Sequence, residues 1–399
     1  MHISRGSVST VIIKPTKMCN AACTYCSAPP EINDGPKWSV DDFKRVFDNL
    51  YESLAGRAIF IFHGGEPMLV GPDFYYKTYE YARSIMPEVR FAIQTNILGY
   101  NSSRWRDVFK NIMESQVSTS FDPDEKYRYY KGSTALYTRI FYDRLETMLD
   151  DGFRPMVIGT YTEETIALAH QMYDKSLSYG EQAFNLRFNY RYPAGRDSGM
   201  GEIISPKTYG ESLISLYNRW IKDVPAFNIT PLDQMFKKTI LLETDRCPWT
   251  RSCAGHFFGV EPNGDVYNCA DFADLQDEQW KFGNAFTQTG EELLKSKMAK
   301  LMRRRRVDLP QECFDCRHFA QCEGGCMRDT VLYGRELGGK FYYCESWKMV
   351  FDRIKESIKT GEADGIIEKM KIIPYYLNAD QDNEVKRLEE LKKLKEQVA

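Results

Sequence analysis

Three cysteines near the start of the chain, Cys19, Cys23 and Cys26, have a spacing that suits a metal cluster. Three thiolates ligate three irons of a four-iron, four-sulfur cube and leave the fourth iron open to a small molecule. Zinc would require a fourth ligand, and the next histidine is only His63. Buried cysteines without a metal are the other alternative. The pattern C-x3-C-x2-C therefore favours an iron–sulfur site that can pass an electron to a bound molecule.

A second set of cysteines lies in the C-terminal half of the chain. These residues are Cys247, Cys253, Cys269, Cys313, Cys316, Cys322, Cys326 and Cys344. The segment 313–326 packs four thiols closely together, and here zinc competes with an iron–sulfur cluster. Between Cys253 and Cys269, residues 259–267 (G-V-E-P-N-G-D-V-Y) predict a hairpin with an Asn-Gly turn. Such hairpins present thiolates in small metal domains.

Composition restricts the class of protein. The 399 residues include 43% hydrophobic and 27% charged residues, and the net charge is −3. These values are typical of a globular protein and give no electrostatic reason to expect nucleic acid or an acidic membrane as a partner. No long apolar run and no signal peptide is present, so we expect a cytoplasmic protein. Eleven cysteines, an odd number, then favour metal ligation over disulfides.

Strand-like and helix-like patterns alternate over the first 190 residues. Strands are expected at Val8–Lys14, Ala58–Phe62, Phe91–Gln94, Val117–Phe121, Pro155–Thr160 and Phe184–Tyr190. Helices are expected at Trp38–Leu54, Phe74–Ile85, Arg104–Glu114, Leu136–Asp150 and Thr165–Tyr179. This alternation predicts an α/β fold with a parallel sheet and a site at the carboxyl ends of the strands. Periodicity alone does not separate an open barrel from a doubly wound sheet.

The C-x3-C-x2-C motif, with Tyr25 before its last cysteine, resembles the radical S-adenosylmethionine (radical SAM) superfamily. The resemblance implies a partial (β/α)6 TIM-like barrel and a SAM molecule bound at the open iron. The strand-end segments of the family have counterparts in this chain. Gly64-Gly65-Glu66-Pro67 corresponds to the segment that contacts the amino group of SAM, and Gln94-Thr95-Asn96 corresponds to the segment after the next strand. Ser120 and Asp122 would lie near the ribose and methionine of SAM, and Tyr25 would place its backbone against the adenine. Asp122-Pro123 lacks the glycine of the family's D-G-P segment.

The later cysteines, in the order G-x4-C, C-x2-C-x5-C-x3-C and a distant Cys, resemble the SPASM extension of radical SAM enzymes. The resemblance implies two auxiliary four-iron clusters, one held by Cys247, Cys253, Cys269 and Cys326 and the other by Cys313, Cys316, Cys322 and Cys344. With Cys19, Cys23 and Cys26 on the catalytic cluster, three [4Fe-4S] clusters use every cysteine. The implied chemistry is an anaerobic reaction in which a reduced cluster cleaves SAM to a 5′-deoxyadenosyl radical. An external electron donor of the flavodoxin or ferredoxin type would supply the electron.

Three regions are expected: a radical SAM partial barrel over 1–230, a small cysteine-rich SPASM domain over 231–350, and a helical C-terminus over 351–399. The last contains an amphipathic pattern at Glu384–Val398. Arg303–Arg306 is expected to be a solvated face, with recognition of an acidic substrate as the alternative. Tyr127–Lys131 is expected on the surface, and His63 is expected to be a hydrogen-bonded structural residue.

The resemblance leaves several substrates open. Modification of a ribosomally made peptide (a RiPP), such as crosslinking, is favoured, and leader recognition then falls to a separate protein or the C-terminal region. Alternatives are an anaerobic sulfatase maturase that forms formylglycine, a sugar dehydrogenase or epimerase, and a non-catalytic metal-binding or electron-carrying protein. In sulfatase maturases an aspartate thought to be the base directly follows the cysteine that corresponds to Cys269. Here Ala270 stands there and Asp271 comes next, so Asp271 is the candidate base.

Overall fold

A computed structural model describes residues 6–27, 35–193, 201–241, 247–250, 253–275 and 277–372. The side chain of Arg306 is not described. The amphipathic pattern predicted at Glu384–Val398 lies outside the described residues.

The described residues form one ten-stranded sheet whose centre is parallel. Its strands are β1 (Val8–Ile13), β2 (Leu54–Phe62), β3 (Arg90–Gln94), β4 (Val117–Ser120), β5 (Met156–Tyr161), β6 (Asn185–Tyr190), β7 (Ile229–Thr230), β8 (Phe257–Val260), β9 (Asp265–Tyr267) and β10 (Gly283–Asn284). The order across the sheet is β10-β9-β8-β1-β2-β3-β4-β5-β6-β7. The six predicted strands are confirmed as β1 to β6, and the parallel α/β fold follows from them.

Helices connect the parallel strands and continue through the second half of the chain. They are α1 (Val40–Leu50), α2 (Pro72–Ile85), α3 (Ser102–Asp107), α4 (Thr134–Asp150), α5 (Ala169–Leu177), α6 (Pro206–Asp223), α7 (Leu232–Leu241), α8 (Ala270–Ala273), α9 (Gly290–Lys295), α10 (Lys297–Asp308), α11 (Gln311–Phe314), α12 (Phe319–Cys322), α13 (Met327–Leu332), α14 (Cys344–Thr360) and α15 (Asp364–Lys369). None of the helices in the described segments is long and apolar enough to cross a membrane.

A capping box at Ser39 and Asp42 marks the start of α1, and the helix is shorter than its hydrophobic spacing predicted. The Ser39 hydroxyl accepts a hydrogen bond from the Asp42 amide, and the Asp42 carboxylate accepts one from the Ser39 amide. The helix ends at Leu50, and Leu54, which we expected in this helix, begins β2. Phe43 packs on the rings of Phe60 and Phe91, so the helix covers one face of the sheet.

The helix predicted over Arg104–Glu114 is shorter than the pattern indicated. Helix α3 ends at Asp107, and residues Val108–Ile112 form a wider π-helical turn. Val108, Phe109 and Ile112 are all buried, which places three apolar side chains toward the core within five residues. The hydrophobic pattern predicted the buried face correctly, but the chain there takes a wider π-helical turn.

The predicted hairpin at 259–267 is present as β8 and β9. Gly264 has φ of +85°, and the Asp265 amide donates to the Asn263 side-chain oxygen, so the Asn-Gly pair makes the turn. Strand β8 also pairs in parallel with β1. The start of the cysteine-rich half is therefore continuous with the barrel sheet.

A buried ion-pair network joins these two halves at the end of β1. The Lys14 side chain is 1% exposed, its ammonium lies 2.6 Å from a Glu261 oxygen, and it also pairs with Asp274. Ser27, next to the last cysteine of the loop, donates to the other Asp274 oxygen at 2.8 Å. Burial opposes the charge on Lys14, but Asp274 and Glu261 together hold its pKa above the ordinary value.

The last helices close the opposite side of the barrel. Helix α14 packs along α6, where a Cβ at Gly210 would lie 2.9 Å from the Met349 sulfur. The Tyr217 and Ser357 hydroxyls are hydrogen-bonded at 2.6 Å between the same two helices. Glycine at 210 therefore permits the close approach that places Cys344, the first residue of α14.

We expect Lys14→Met to lower the free energy of unfolding by about 3–5 kcal/mol, because it leaves the buried Asp274 carboxylate without its cation and leaves Glu261 paired only with the partly exposed Lys17. Urea denaturation followed by circular dichroism measures this change. Lys44→Met is the matched control, since Lys44 is 40% exposed and pairs with Asp41 at 3.7 Å, and its loss should cost less than about 1 kcal/mol. Equal, small effects for both variants would contradict the structural role of Lys14.

Candidate functional site

The first cysteine loop follows β1 at the carboxyl edge of the sheet. Cys19, Cys23 and Cys26 are each partly buried within it. Burial raises the pKa of the Cys19 thiol, and the charges of Glu66 and of the other two cysteines raise it further. Three thiols that disfavour each other's ionisation need a cation to become thiolates, and an iron cluster supplies that charge. The donor set therefore fits the three-cysteine cluster that the sequence predicted.

The two glycines of the G-G-E-P segment are required by the chain's own backbone. A Cβ at Gly65 would lie 2.2 Å from the Met18 carbonyl oxygen, and one at Gly64 would lie 2.6 Å from that of Thr16. The Gly65 and Glu66 amides donate to these same two carbonyls. The glycines therefore let the loop after β2 lie directly against the segment that enters the cysteine loop.

Glu66 connects the loops that follow β2 and β3. Its carboxylate accepts hydrogen bonds from the Met68 amide at 2.9 Å, the Thr95 hydroxyl at 2.7 Å and the Asn96 amide at 2.7 Å. Burial raises the pKa of Glu66 to about 7 although these three bonds act in the opposite direction. The sequence predicted that the G-G-E-P segment contacts the amino group of SAM. In the structure the Glu66 oxygens accept hydrogen bonds from three donors of the chain itself.

Asn96 connects the loop after β3 to the cysteine loop. Its side-chain amide donates to the Asn20 side-chain oxygen at 2.6 Å, and its own oxygen accepts from the Leu98 amide at 3.0 Å. Gln94 and Ser120 are the last residues of β3 and β4 and are half-buried. These strand-end residues therefore share the carboxyl edge with Cys19 and its neighbours.

Asp122 is buried in an ion pair that the sequence did not reveal. Its carboxylate accepts from Arg128 Nε at 2.7 Å and from the Thr160 amide at 2.9 Å. The Tyr25 hydroxyl is bonded to both Asp122 and Arg128. Arg128 Nη1 lies 3.9 Å from the Cys23 sulfur. The expectation that 127–131 is surface is wrong for Arg128, whose side chain is 12% exposed.

The second half of the chain brings its thiols together in two further groups. Cys247 interacts electrostatically with Cys253, Cys269 and Cys326, and burial is the main cause that raises the pKa of each of these thiols. Likewise, burial and then Cys344, Cys313 and Cys316 raise the pKa of Cys322 to about 12. The thiols of this second group, with Phe319 and Phe341, line one pocket.

Asp271 lies between these groups and the first cysteine loop. Residues Ala270–Ala273 form a helical turn that begins just after Cys269, so Asp271 does not lie on a strand face. On a helix a shift of one residue rotates a side chain by about 100°, not to the opposite face. Asp271 is 45% exposed, and its carboxylate accepts from Arg328 Nη2 at 3.1 Å.

The surroundings of Asp271 keep it ionised. Burial opposes the charge, but Arg328 first, and then His63 and Lys14, hold the pKa of Asp271 below its usual range. The Arg328 guanidinium lies 3.9 Å from the centre of the Tyr192 ring, which positions it. At neutral pH the site therefore presents a carboxylate rather than a carboxylic acid.

His63 is hydrogen-bonded within the chain, in agreement with the structural role expected for it. Its Nδ1 accepts from the Gly64 amide at 2.7 Å. Burial and the nearby Lys14 charge lower the pKa of His63, so the imidazole is neutral at neutral pH.

Comparison with known proteins identifies both halves of the chain. The Radical SAM superfamily model matches residues 13–163, and the SPASM iron-sulfur cluster-binding domain model matches residues 247–317. A cysteine-type anaerobic sulfatase-maturating enzyme of Clostridium perfringens is 26% identical over 86% of this chain and 95% of its own length. A serine-type enzyme of Bacteroides thetaiotaomicron is 24% identical over 86% of this chain and 89% of its own length.

Two solved structures share the fold. The sulfatase maturase anSMEcpe with bound AdoMet and Kp18Cys peptide superposes with a TM-score of 0.74 at 22% identity, covering 89% of this chain and 99% of that one. Streptococcus suis SuiB bound to S-adenosylmethionine gives a TM-score of 0.60 at 15% identity, covering 84% and 77%. The cysteine-rich segment thus belongs to an iron–sulfur rather than a zinc domain, and the non-catalytic alternative is not supported. The chain is a radical SAM enzyme that carries a SPASM domain.

Proposed function

We propose that this enzyme is a maturase that modifies a peptide or protein, with crosslinking of a ribosomally made peptide as its reaction. The observation that carries the proposal is the contact between the half-exposed Asp271 carboxylate and the buried Arg328 guanidinium, which follow Cys269 and Cys326 closely in the sequence. Relatives that span nearly the whole chain are named as sulfatase-maturating enzymes, and two solved relatives are bound to peptides. A sugar dehydrogenase or epimerase has no comparable support.

The proposal includes three [4Fe-4S] clusters. Cys19, Cys23 and Cys26 would hold the SAM-binding cluster, and the two later groups would hold four-cysteine auxiliary clusters. When bound, the open cluster and SAM supply abstraction of a hydrogen atom from an unactivated carbon. The protein holds the residues of this site in place. Hydrogen bonds from Thr95 and Asn96 to Glu66 connect the loop after β2 to the loop after β3.

The SAM pocket is proposed along the same edge. Its residues are Tyr25, Gly64, Gly65, Glu66, Pro67, Gln94, Asn96, Ser120 and Asp122. The hydrogen bonds described above give the Glu66, Asn96 and Asp122 side chains a positioning role at this edge. Asp122 would act by holding Arg128 and Tyr25 in place.

Asp271 is proposed as the proton acceptor for the substrate. It is an exposed carboxylate in an otherwise enclosed site, and Arg328 keeps it ionised. In this state it can accept a proton across the neutral pH range.

Formylglycine formation in a sulfatase is the second candidate function. The curated relatives favour it, because both cysteine-type and serine-type sulfatase-maturating enzymes match most of this chain. The position of the acid argues against it, since Ala270 follows Cys269 and is buried. We therefore place peptide crosslinking first.

The remaining features of the proposal concern organisation and partners. We place the barrel at 1–230, the SPASM domain at 231–350 and the C-terminal helical region at 351–399, in a cytoplasmic enzyme. The partners would be an external flavodoxin-type or ferredoxin-type electron donor and, for a leader-bearing peptide, a separate leader-recognition protein.

Anaerobic reconstitution tests the cofactors. We expect about twelve irons per chain and formation of 5′-deoxyadenosine after addition of dithionite and SAM. The full chain with Cys19→Ala, Cys23→Ala and Cys26→Ala should keep about eight irons and form none. Tightly bound zinc, or no cleavage by the unaltered enzyme, would contradict the proposal.

Mass spectrometry separates the two substrate classes. We expect a short precursor peptide encoded beside the gene to lose two hydrogens and gain a crosslink that survives reduction and proteolysis. A sulfatase peptide with its target cysteine or serine should show no aldehyde when treated with a hydrazide. Aldehyde formation on the sulfatase peptide, with an unchanged precursor, would establish the second candidate.

Asp271→Ala should leave SAM cleavage unchanged and reduce product formation by about 10²-fold or more, because the proton acceptor is lost. Asp271→Asn should behave in the same way while preserving shape. Asp277→Ala is the control, since Asp277 belongs to an exposed turn outside the site. Product formed by Asp271→Ala at the normal rate would refute the assignment.

A further inference from the structure

The described side chains of the four-arginine run have different roles, and the solvated face expected for the whole run applies to Arg304 but not to Arg305. Arg304 is 68% exposed and pairs with Asp308 one turn along α10, as a solvated face requires. Arg303 donates to the Leu294 carbonyl at 2.7 Å. Arg305 is instead 5% exposed, so this cation faces the protein interior.

All the hydrogen-bond acceptors described for Arg305 are neutral. Its Nη1 donates to the carbonyls of Leu337 and Gly339, the latter at 2.9 Å. Its Nη2 donates to the Gly324 carbonyl at 2.8 Å and to the Thr330 hydroxyl at 3.2 Å. Within the described segments no carboxylate forms an ion pair with it. A buried cation without an anion costs several kcal/mol, so this charge requires a partner.

Cysteines of both proposed auxiliary sites interact electrostatically with Arg305. Burial lowers the pKa of Arg305, whereas Cys326 and Cys253 of one group and Cys313 and Cys322 of the other raise it. As free thiols these residues carry no charge, since burial also raises their own pKa values. They become anionic only as ligands.

The backbone contact of Arg305 joins the same two groups. Gly324 lies in the short turn between Cys322 and Cys326, and its φ is +89°. A Cβ at Gly324 would lie 2.6 Å from Leu309. One guanidinium therefore fixes the turn that carries one ligand of each auxiliary site.

We propose that Arg305 is a shared counter-ion and positioning residue for both auxiliary clusters, and that its charge raises the reduction potentials of both. This inference rests on the proposed pair of auxiliary clusters. Reduction adds negative charge to a cluster, and a fixed cation a short distance away in a medium of low dielectric stabilises the reduced form more than the oxidised form.

The test is a redox titration followed by electron paramagnetic resonance. The full chain carries Cys19→Ala, Cys23→Ala and Cys26→Ala, so that only auxiliary clusters contribute. We expect Arg305→Gln to lower both potentials by at least the equivalent of a tenfold change in the reduced-to-oxidised ratio, about 59 mV for one electron. Arg305→Lys should restore most of the shift, because it keeps the charge. Arg304→Gln is the control and should shift neither potential.

Two results would overturn the inference. One is unchanged potentials in Arg305→Gln with all irons retained. The other is an equal shift, or equal loss of iron, in Arg305→Lys and Arg305→Gln, which would assign Arg305 a purely structural role. Iron loss in the glutamine variant alone supports the counter-ion role. Failure of the underlying function proposal is separate: about four irons in the unaltered enzyme would remove the auxiliary clusters themselves.

Discussion

Lys14 directly follows the first strand of the sheet, and its buried ammonium forms ion pairs with Glu261 and Asp274, two carboxylates from the second half of the chain. The first cysteine loop begins five residues later and ends beside Ser27, which is bonded to the same Asp274. The ammonium thus fixes both ends of this loop to the segment that follows Cys269. Because strand β8 also pairs with β1, the first cysteine loop and the segment that carries Cys253 and Cys269 belong to one continuous unit.

Buried arginines accompany the thiol groups throughout this unit. Arg128 lies beside Cys23, Arg328 acts on Cys326, and Arg305 acts on both later groups. Each guanidinium needs compensation for its own burial. Arg128 and Arg328 obtain it from Asp122 and Asp271, whereas Arg305 forms no ion pair with a carboxylate of the described segments. Under the proposed ligation, thiolates would supply negative charge near Arg305.

Some local predictions failed where tertiary packing altered a regular pattern. The segment over Arg104–Glu114 has the correct buried residues but forms a π-helical turn. Arg128 was expected on the surface together with the other residues of 127–131, and its ion pair with Asp122 makes it internal. Asp271 lies in a helical turn that begins directly after Cys269.

The amino-acid sequence determined the class of chemistry, the six parallel strands, the hairpin and the identity of every candidate ligand. These features depend on local spacing: alternation of apolar residues, turn-forming pairs and thiols a few residues apart. Only the tertiary structure decided which cysteines from distant segments meet, that Glu66 is a brace between two loops, and that Arg305 is buried between two ligand groups. Those facts depend on contacts between residues tens to hundreds of positions apart, where linear spacing carries no information about distance or burial.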